Sequence, residues 1–133
     1  MKNITYEVNA PVDERDLSTL FKASGIKRPS DDLPRLRSML DHADITLTAW
    51  DNNQLVGIAR AITDYSYCCY LSDLAVDSIY QQEGIGKRLV DMLREQIGEE
   101  VTLILLASPT AMEYYPKLGF EKIDNGFRVL RRR

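Results

Sequence analysis

The sequence predicts one α/β domain, residues 1–133, built around a mixed sheet. Three patterns carry that prediction. Alternating apolar segments at residues 4–8, 45–50 and 55–63, with a further run at 69–76, have the period of strands. Residues Ile85, Leu89, Leu93 and Ile97 recur every four positions, supported by Val90 and Met92, as the core-facing stripe of a helix does. The uninterrupted apolar run VTLILLA, residues 101–107, suits a central strand buried on both faces.

The elements follow in order. After the strand at 4–8, Asp13 is placed to cap a helix that puts Leu17, Leu20, Phe21 and Ser24 on one face and stops at Gly25. SGIKRPSDDLP, with two prolines, links it to a second helix. That helix starts near Asp32, buries Leu33, Leu36, Met39 and Leu40, and ends within Asp41 to Asp44. The strands at 45–50 and 55–63 are joined by the turn DNNQ. Residues 64–67 lead into the strand at 69–76, and a glycine loop opens the helix with the four-residue stripe. Beyond the 101–107 strand, Ser108 or Thr110 caps a short helix that Gly119 ends. FEKI and FRVLRR form the last strands, with the hairpin signal Asp124-Asn125-Gly126 between them. The resulting order is β-α-α-β-β-β-α-β-α-β-β.

Composition narrows the function. Apolar residues make up 44% and charged residues 28%, ordinary for a soluble globular protein. The net charge of −3 disfavours nucleic acid as a partner. No apolar run approaches the roughly 20 residues of a membrane span, and the first residues lack a signal-peptide core. The two cysteines, Cys68 and Cys69, are adjacent and have no CxxC spacing, so no metal is expected and reduced, cytoplasmic thiols are the expectation. Arg131 to Arg133 read as a solvated tail, and His42 as an exposed residue at a helix end.

The chemistry is concentrated in residues 70–97. A strand ends in Gln81-Gln82-Glu83-Gly84-Ile85-Gly86 and a helix begins. Free backbone N–H groups at a helix N-terminus form a site for phosphate. A Walker loop is excluded, because Gly86-Lys87 is followed by Arg88 and no glycine lies five residues before Gly86. A dinucleotide fingerprint requires a third glycine where Leu89 stands, and an acid near Ala107 and Ser108.

The loop instead resembles the [Q/R]xxGx[G/A] motif of the GNAT superfamily of acetyl-CoA-dependent N-acetyltransferases. The preceding Leu74-Ala75-Val76-Asp77 and the following helix are also similar. A second signature, residues 111–120 (AMEYYPKLGF), resembles the family's AxxFYxKLGF. The two signatures stand in the expected order, and the element order matches that fold over about the whole chain. The resemblance implies a mixed, mostly antiparallel sheet with splayed middle strands and about four flanking helices. It implies acetyl-CoA as co-substrate, with the N–H groups from about Gln82 to Lys87 on its pyrophosphate. Gln81, Gln82, Glu83, Gly84, Ile85, Gly86, Lys87 and Arg88 are then cofactor-binding, with Lys87 and Arg88 adding charge. Backbone groups of Leu74, Ala75 and Val76 pair with the pantetheine arm where the strand splays, often at a bulge. Tyr115 occupies the position of the acid that protonates the leaving thiolate and also lies against the coenzyme, with Tyr114 beside it as a core residue.

Two departures stand out. Ser108 replaces the Asn that often contacts the coenzyme arm, and Pro116 replaces an acidic residue. The attacking amine must be neutral, and the candidates for its base are Asp73, Asp64 or water. Asp73 is alternatively a ligand for the substrate. Tyr65, Tyr67 and Tyr70 are either walls of the acceptor pocket or ordinary strand aromatics. The expected activity is direct transfer of an acetyl group to a primary amine, on a small molecule or a protein. The alternative is an acyl-CoA-binding sensor or partner module without turnover. The acceptor site falls to residues 22–34, and a homodimer is left open.

Overall fold

The computed structural model describes residues 2–133. Its elements are β1 (Ile4–Val8), α1 (Glu14–Ser24), α2 (Leu33–Asp41), β2 (Ile45–Asp51), β3 (Gln54–Thr63), β4 (Cys68–Val76), α3 (Ile85–Ile97), β5 (Thr102–Ile104) and the one-turn helix α4 (Tyr114–Lys117). Single 3₁₀ turns lie at Ser78–Tyr80 and Pro109–Ala111. The sheet order is β1-β2-β3-β4-β5; the first four strands pair antiparallel and β5 joins β4 in parallel.

The helices start and stop where the sequence supplies caps. Asp13 accepts from the Arg15 N–H ahead of α1, and Gly25 ends it with a φ of 81°. Asp32 accepts from the Arg35 N–H ahead of α2. Each sheet face is then covered. On one side α3 packs Leu89 and Leu93 against Leu47, Ala59, Cys69 and Leu71. Gly57 permits this approach, since a Cβ there would meet Ile85 Cγ2 at 3.0 Å. On the other side α1 and α2 pack Leu17, Phe21 and Leu36 against Leu55, Ile58 and Ala75.

One irregularity positions the site. Arg60 opposes Asp73 while Ala61 opposes Leu71, so Ser72 is an extra residue in β4. A bulge of this kind exchanges the two faces of the strand that follows it. Before it, Cys69 and Leu71 face α3; after it, Leu74 and Val76 take that side and Asp73 turns toward α1 and α2.

The C-terminal quarter corrects three expectations. The run at 101–107 is not a central strand buried on both faces: only Thr102–Ile104 pairs, at the sheet edge, and Ile104 and Leu106 are exposed. FEKI and FRVLRR form no strands, and residues 121–133 are exposed throughout. The hairpin is open because neither Asn125 nor Gly126 has a positive φ, which the tight two-residue turn requires at both positions.

Candidate active site

The cleft begins where two strands part. β4 and β5 pair only from Cys68↔Thr102 to Tyr70↔Ile104. From Leu71 onward β4 continues to Val76, held by β3 on one side and without a strand on the other. Leu74 and Val76 are half-buried there, and Ala75 is buried in the core between β4 and the first two helices. Among the described residues, no strand pairs with the backbone edge of Leu71 to Val76 on the side away from β3.

At the end of β4, Asp77 caps the turn at Ser78–Tyr80. Gln82 and Gly84 then take left-handed conformations, with φ of 64° and 82°. These reversals start α3 without a side-chain cap. The N–H groups of Gln82 to Lys87 find no backbone acceptor among the described residues. Together with the positive end of the α3 dipole they suit an anion. Gln81 Nε2 donates to the Val76 carbonyl at 2.9 Å and ties the loop back to β4. Glu83 pairs with Lys2, and Lys87 with Asp91 at 2.8 Å. The Arg88 guanidinium lies 5.8 Å from the Tyr6 ring centre. Ile85 and Gly86 are buried in the first turn of α3.

Gly86 is more constrained than its motif suggests. A Cβ at that position would overlap the Tyr114 hydroxyl. The glycine therefore admits a neighbouring side chain as well as any ligand, and Tyr114, expected in the core, lies instead at the surface over the start of α3.

Tyr115 is half-buried in α4. Its ring packs edge-on against Tyr114 at 5.3 Å and Phe120 at 5.5 Å. Burial pushes its phenol above the usual tyrosine value, charge repulsion from the neighbouring Tyr114 phenol adds to this, and the Arg28 guanidinium opposes it. The group stays protonated at neutral pH, as a proton donor must. Ser108 precedes the turn at Pro109–Ala111, with its hydroxyl 3.3 Å from that of Thr110.

Asp73 lies between two arginines. Arg60 Nε donates to one carboxylate oxygen at 2.5 Å, and Arg28 Nε donates to the other at 2.6 Å. Arg28 also donates to the Ser72 carbonyl at 2.7 Å, so the loop between α1 and α2 is fastened onto the bulge of β4. The sequence contained a signal for this cluster: Arg60 interrupts a strand that is otherwise apolar, and a buried guanidinium requires an acidic partner.

The remaining candidates sit elsewhere. Asp64 caps the β3–β4 turn by accepting from the N–H groups of Ser66, Tyr67 and Cys68 at 2.8 to 3.1 Å. Those bonds hold its carboxyl below the usual range. Tyr65 and Tyr67, also in that turn, are exposed, and the Tyr65 hydroxyl donates to the Asp44 carbonyl. His42 is exposed at the end of α2. Cys68 and Cys69 are both free thiols; burial raises the pKa of Cys69. No group of metal-ligating side chains occurs among the described residues, and no helix there is long and apolar enough to cross a membrane.

This geometry has relatives. The family model of the acetyltransferase (GNAT) domain matches residues 22–129. An uncharacterized N-acetyltransferase, ycf52, of Pyropia yezoensis is 29% identical, covering 96% of this chain and 75% of its own length. A protein from meticillin-resistant Staphylococcus aureus, described as a probable acetyltransferase, superposes with a TM-score of 0.82 at 24% identity. That match covers 98% of this chain and 99% of the other. The aminoglycoside N-acetyltransferase AAC(6')-Iy, solved with CoA, superposes with a TM-score of 0.74 at 18% identity, covering 99% and 97%. The splayed sheet, the glycine loop and the family match agree: the chain belongs to the GNAT family of acetyltransferases and is an acyltransferase.

Proposed function

We propose that this chain transfers the acetyl group of acetyl-CoA directly to a primary amine. The observation that carries the proposal is the unpaired edge of β4 from Leu71 to Val76, which ends on a loop with six free N–H groups. An extended amide-bearing arm fits the edge as an added strand would, and a pyrophosphate fits the loop. The coenzyme supplies an activated thioester.

In this reading Leu74 and Val76 orient the arm through their backbone. Gln82 to Lys87 hold the pyrophosphate, and Arg88 adds positive charge beside it. Gln81 sets the shape of the loop. Ser108 offers a hydroxyl near the arm. Tyr115 holds a proton on its Oη for the departing sulfur. Arg28 lies near enough to influence that phenol, and Asp73 positions Arg28. With Asp73 and Asp64 both engaged, solvent water takes the proton from the amine. The acceptor enters past the loop between α1 and α2, where Arg28 sits. The names of relatives span small-molecule and protein amines: AAC(6')-Iy is an aminoglycoside acetyltransferase, and a Glycine max relative, TAP1, is named a histone acetyltransferase.

The test is thiol release from acetyl-CoA in the presence of a panel of aminosugars, polyamines, amino acids and lysine peptides, with acetylated products identified by mass spectrometry. Acetyl-CoA raises the melting temperature, and at least one amine is acetylated. A folded protein whose melting temperature does not move at millimolar acetyl-CoA overturns the proposal. Stabilisation without any acetylated amine favours the sensor reading.

A further inference from the structure

The cluster around Asp73 carries an excess positive charge. Two guanidiniums share one carboxylate, Arg60 on one oxygen and Arg28 on the other. Neither arginine has another acidic partner among the described residues. The side chains of Asp73 and Arg60 are 0% and 7% exposed, that of Arg28 27%, so solvent reaches the excess charge at Arg28. The terminal nitrogens of Arg28 donate to the carbonyls of Lys27 and Ser72, one bond from each. Each of these nitrogens carries a second N–H, which is open to an acceptor. Paired N–H groups on one guanidinium match a carboxylate.

An uncovered apolar row lies beside this charge. Ala61, Cys69, Leu71 and Leu103 point toward α3, so their strand neighbours Ile62, Tyr70 and Ile104 point to the side of α1 and α2. Ile62 pairs with Tyr70 and Tyr70 with Ile104, which sets the three side by side across β3, β4 and β5. They are 47%, 36% and 43% exposed, so α1 and α2 leave them open. Along β4 the row is followed by the bulge, where Ser72 and Asp73 hold Arg28. Tyr115 lies on the opposite side of the sheet, packed on Phe120 of the core beneath α3, and the Arg28 charge still reaches its phenol. A group held between them has the phenol on one side and the guanidinium on the other.

We propose, resting on the acetyl transfer proposed above, that the acceptor is a free α-amino acid with an apolar side chain, its carboxylate on Arg28 and its side chain on the row of Ile62, Tyr70 and Ile104. An α-amino acid carries its amine and its carboxylate on one carbon, so a carboxylate fixed at Arg28 also fixes the nitrogen. That nitrogen forms the amide with the acetyl carbon and the thioester C–S bond breaks. The sulfur leaves with the Tyr115 proton, and water takes the proton of the amine. A polyamine or an aminosugar brings only further positive charge to Arg28 and is disfavoured.

The experiment measures acetyl transfer to leucine, phenylalanine and glycine and to the amide of each. The amide keeps the size and loses the charge, and its amine gives up a proton more readily, so preference for the acid does not come from basicity. The wild type uses leucine and phenylalanine with kcat/KM at least about tenfold above that for their amides, in the range of a charge-assisted hydrogen bond. Arg28→Gln brings that ratio close to one. Asp73 keeps Arg60 in this variant, and a melting curve checks that it folds; Arg28→Lys, which keeps the charge and loses the fork, lowers the ratio partway. Tyr70→Ser raises KM for leucine and phenylalanine by roughly tenfold and leaves that for glycine unchanged. Acetylation confined to amines without a carboxylate, lysine peptides included, overturns the inference and leaves acetyl transfer standing. So does an acid-to-amide ratio that a folded Arg28→Gln does not change, or a Tyr70→Ser variant that treats leucine and phenylalanine as the wild type does. Failure of every amine to be acetylated overturns acetyl transfer itself, and the inference with it.

Discussion

The residues up to Ile97 and those after it obey different rules. Every buried residue lies between Val12 and Ile97; none of the residues after Ile97 is buried. In the first region two helices on one face and a third on the other leave little open surface, and its irregularities, such as the bulge at Ser72, are fixed by neighbours. In the second, a short edge strand, a one-turn helix and an extended tail stand around open space. The difference teaches where to look for each property. Stability resides in the first region. The second region holds Tyr115, the proposed proton donor, where a side chain can change without disturbing a core.

The largest effect is expected in the closed region, at Asp73. Its side chain is fully buried between Arg60, itself 7% exposed, and Arg28. Asp73→Ala removes the only carboxylate from this cluster. Arg60 is left with the Ser72 hydroxyl at 2.9 Å and a distant Met39 carbonyl. Breaking a buried pair by deleting one partner costs about 3–5 kcal/mol. Urea denaturation of Asp73→Ala should show a loss of that order, with the slope of the transition unchanged. Asp73→Asn, which keeps one acceptor oxygen, should lose less. A loss under about 1 kcal/mol in the alanine variant would mean that the cluster contributes little to folding and that Asp73 is held in reserve for the reaction.

Tyr115 tests the open region. Tyr115→Phe keeps the ring that packs on Tyr114 and Phe120 and removes only the phenol. If that phenol protonates the leaving thiolate, kcat falls by roughly 10²-fold, equivalent to about 2.7 kcal/mol of barrier. KM for acetyl-CoA and the urea midpoint stay near their wild-type values. The two substitutions thus separate the regions: one lowers stability, the other only rate. Equal turnover in Tyr115→Phe would move proton donation to water, and a large loss of stability would show that the region after Ile97 is less independent than its burial implies.

The closed region is legible in the sequence because its signals are local or periodic. Asp13, Asp32 and Gly25 mark helix ends, and Ile85, Leu89, Leu93 and Ile97 mark one helix face. The glycine loop and Tyr115 are legible as spaced motifs. The residues that escape such a reading are those whose surroundings come from distant parts of the chain. Nothing within ten residues of Asp73 shows that Arg28, forty-five positions earlier, lies against it. Residues 101–107 mislead in an instructive way. Their apolarity is that of a strand covered on both faces, but only Thr102–Ile104 pairs, at the end of the sheet, and Ile104 and Leu106 are exposed. Tyr114 is misplaced because a tyrosine at a core-like spacing gives no sign that its hydroxyl will lie over Gly86.

The smallest effect concerns Asp64, and it separates two roles that one carboxylate can hold. Asp64 sits in the turn before β4. At about 3.3 Å per residue, Cys68 is roughly 13 Å along the strand from the bulge at Ser72, too far for direct proton transfer at that point. Its carboxylate accepts three backbone N–H bonds, which lower its pKa in the folded protein below the unfolded value. A depressed carboxyl contributes stability that is present above the unfolded pKa, near 4, and is lost as the pH falls through the folded value. Asp64→Asn keeps an oxygen for the turn but cannot titrate. Its activity at neutral pH should equal that of the wild type, and its urea midpoint should depend less steeply on pH below about 4. Both proteins are compared by denaturation at several acidic pH values and by one neutral rate measurement. A folded Asp64→Asn protein with activity reduced tenfold or more would restore Asp64 as the base, and would mean that the turn before β4 reaches the acceptor in a conformation other than this one.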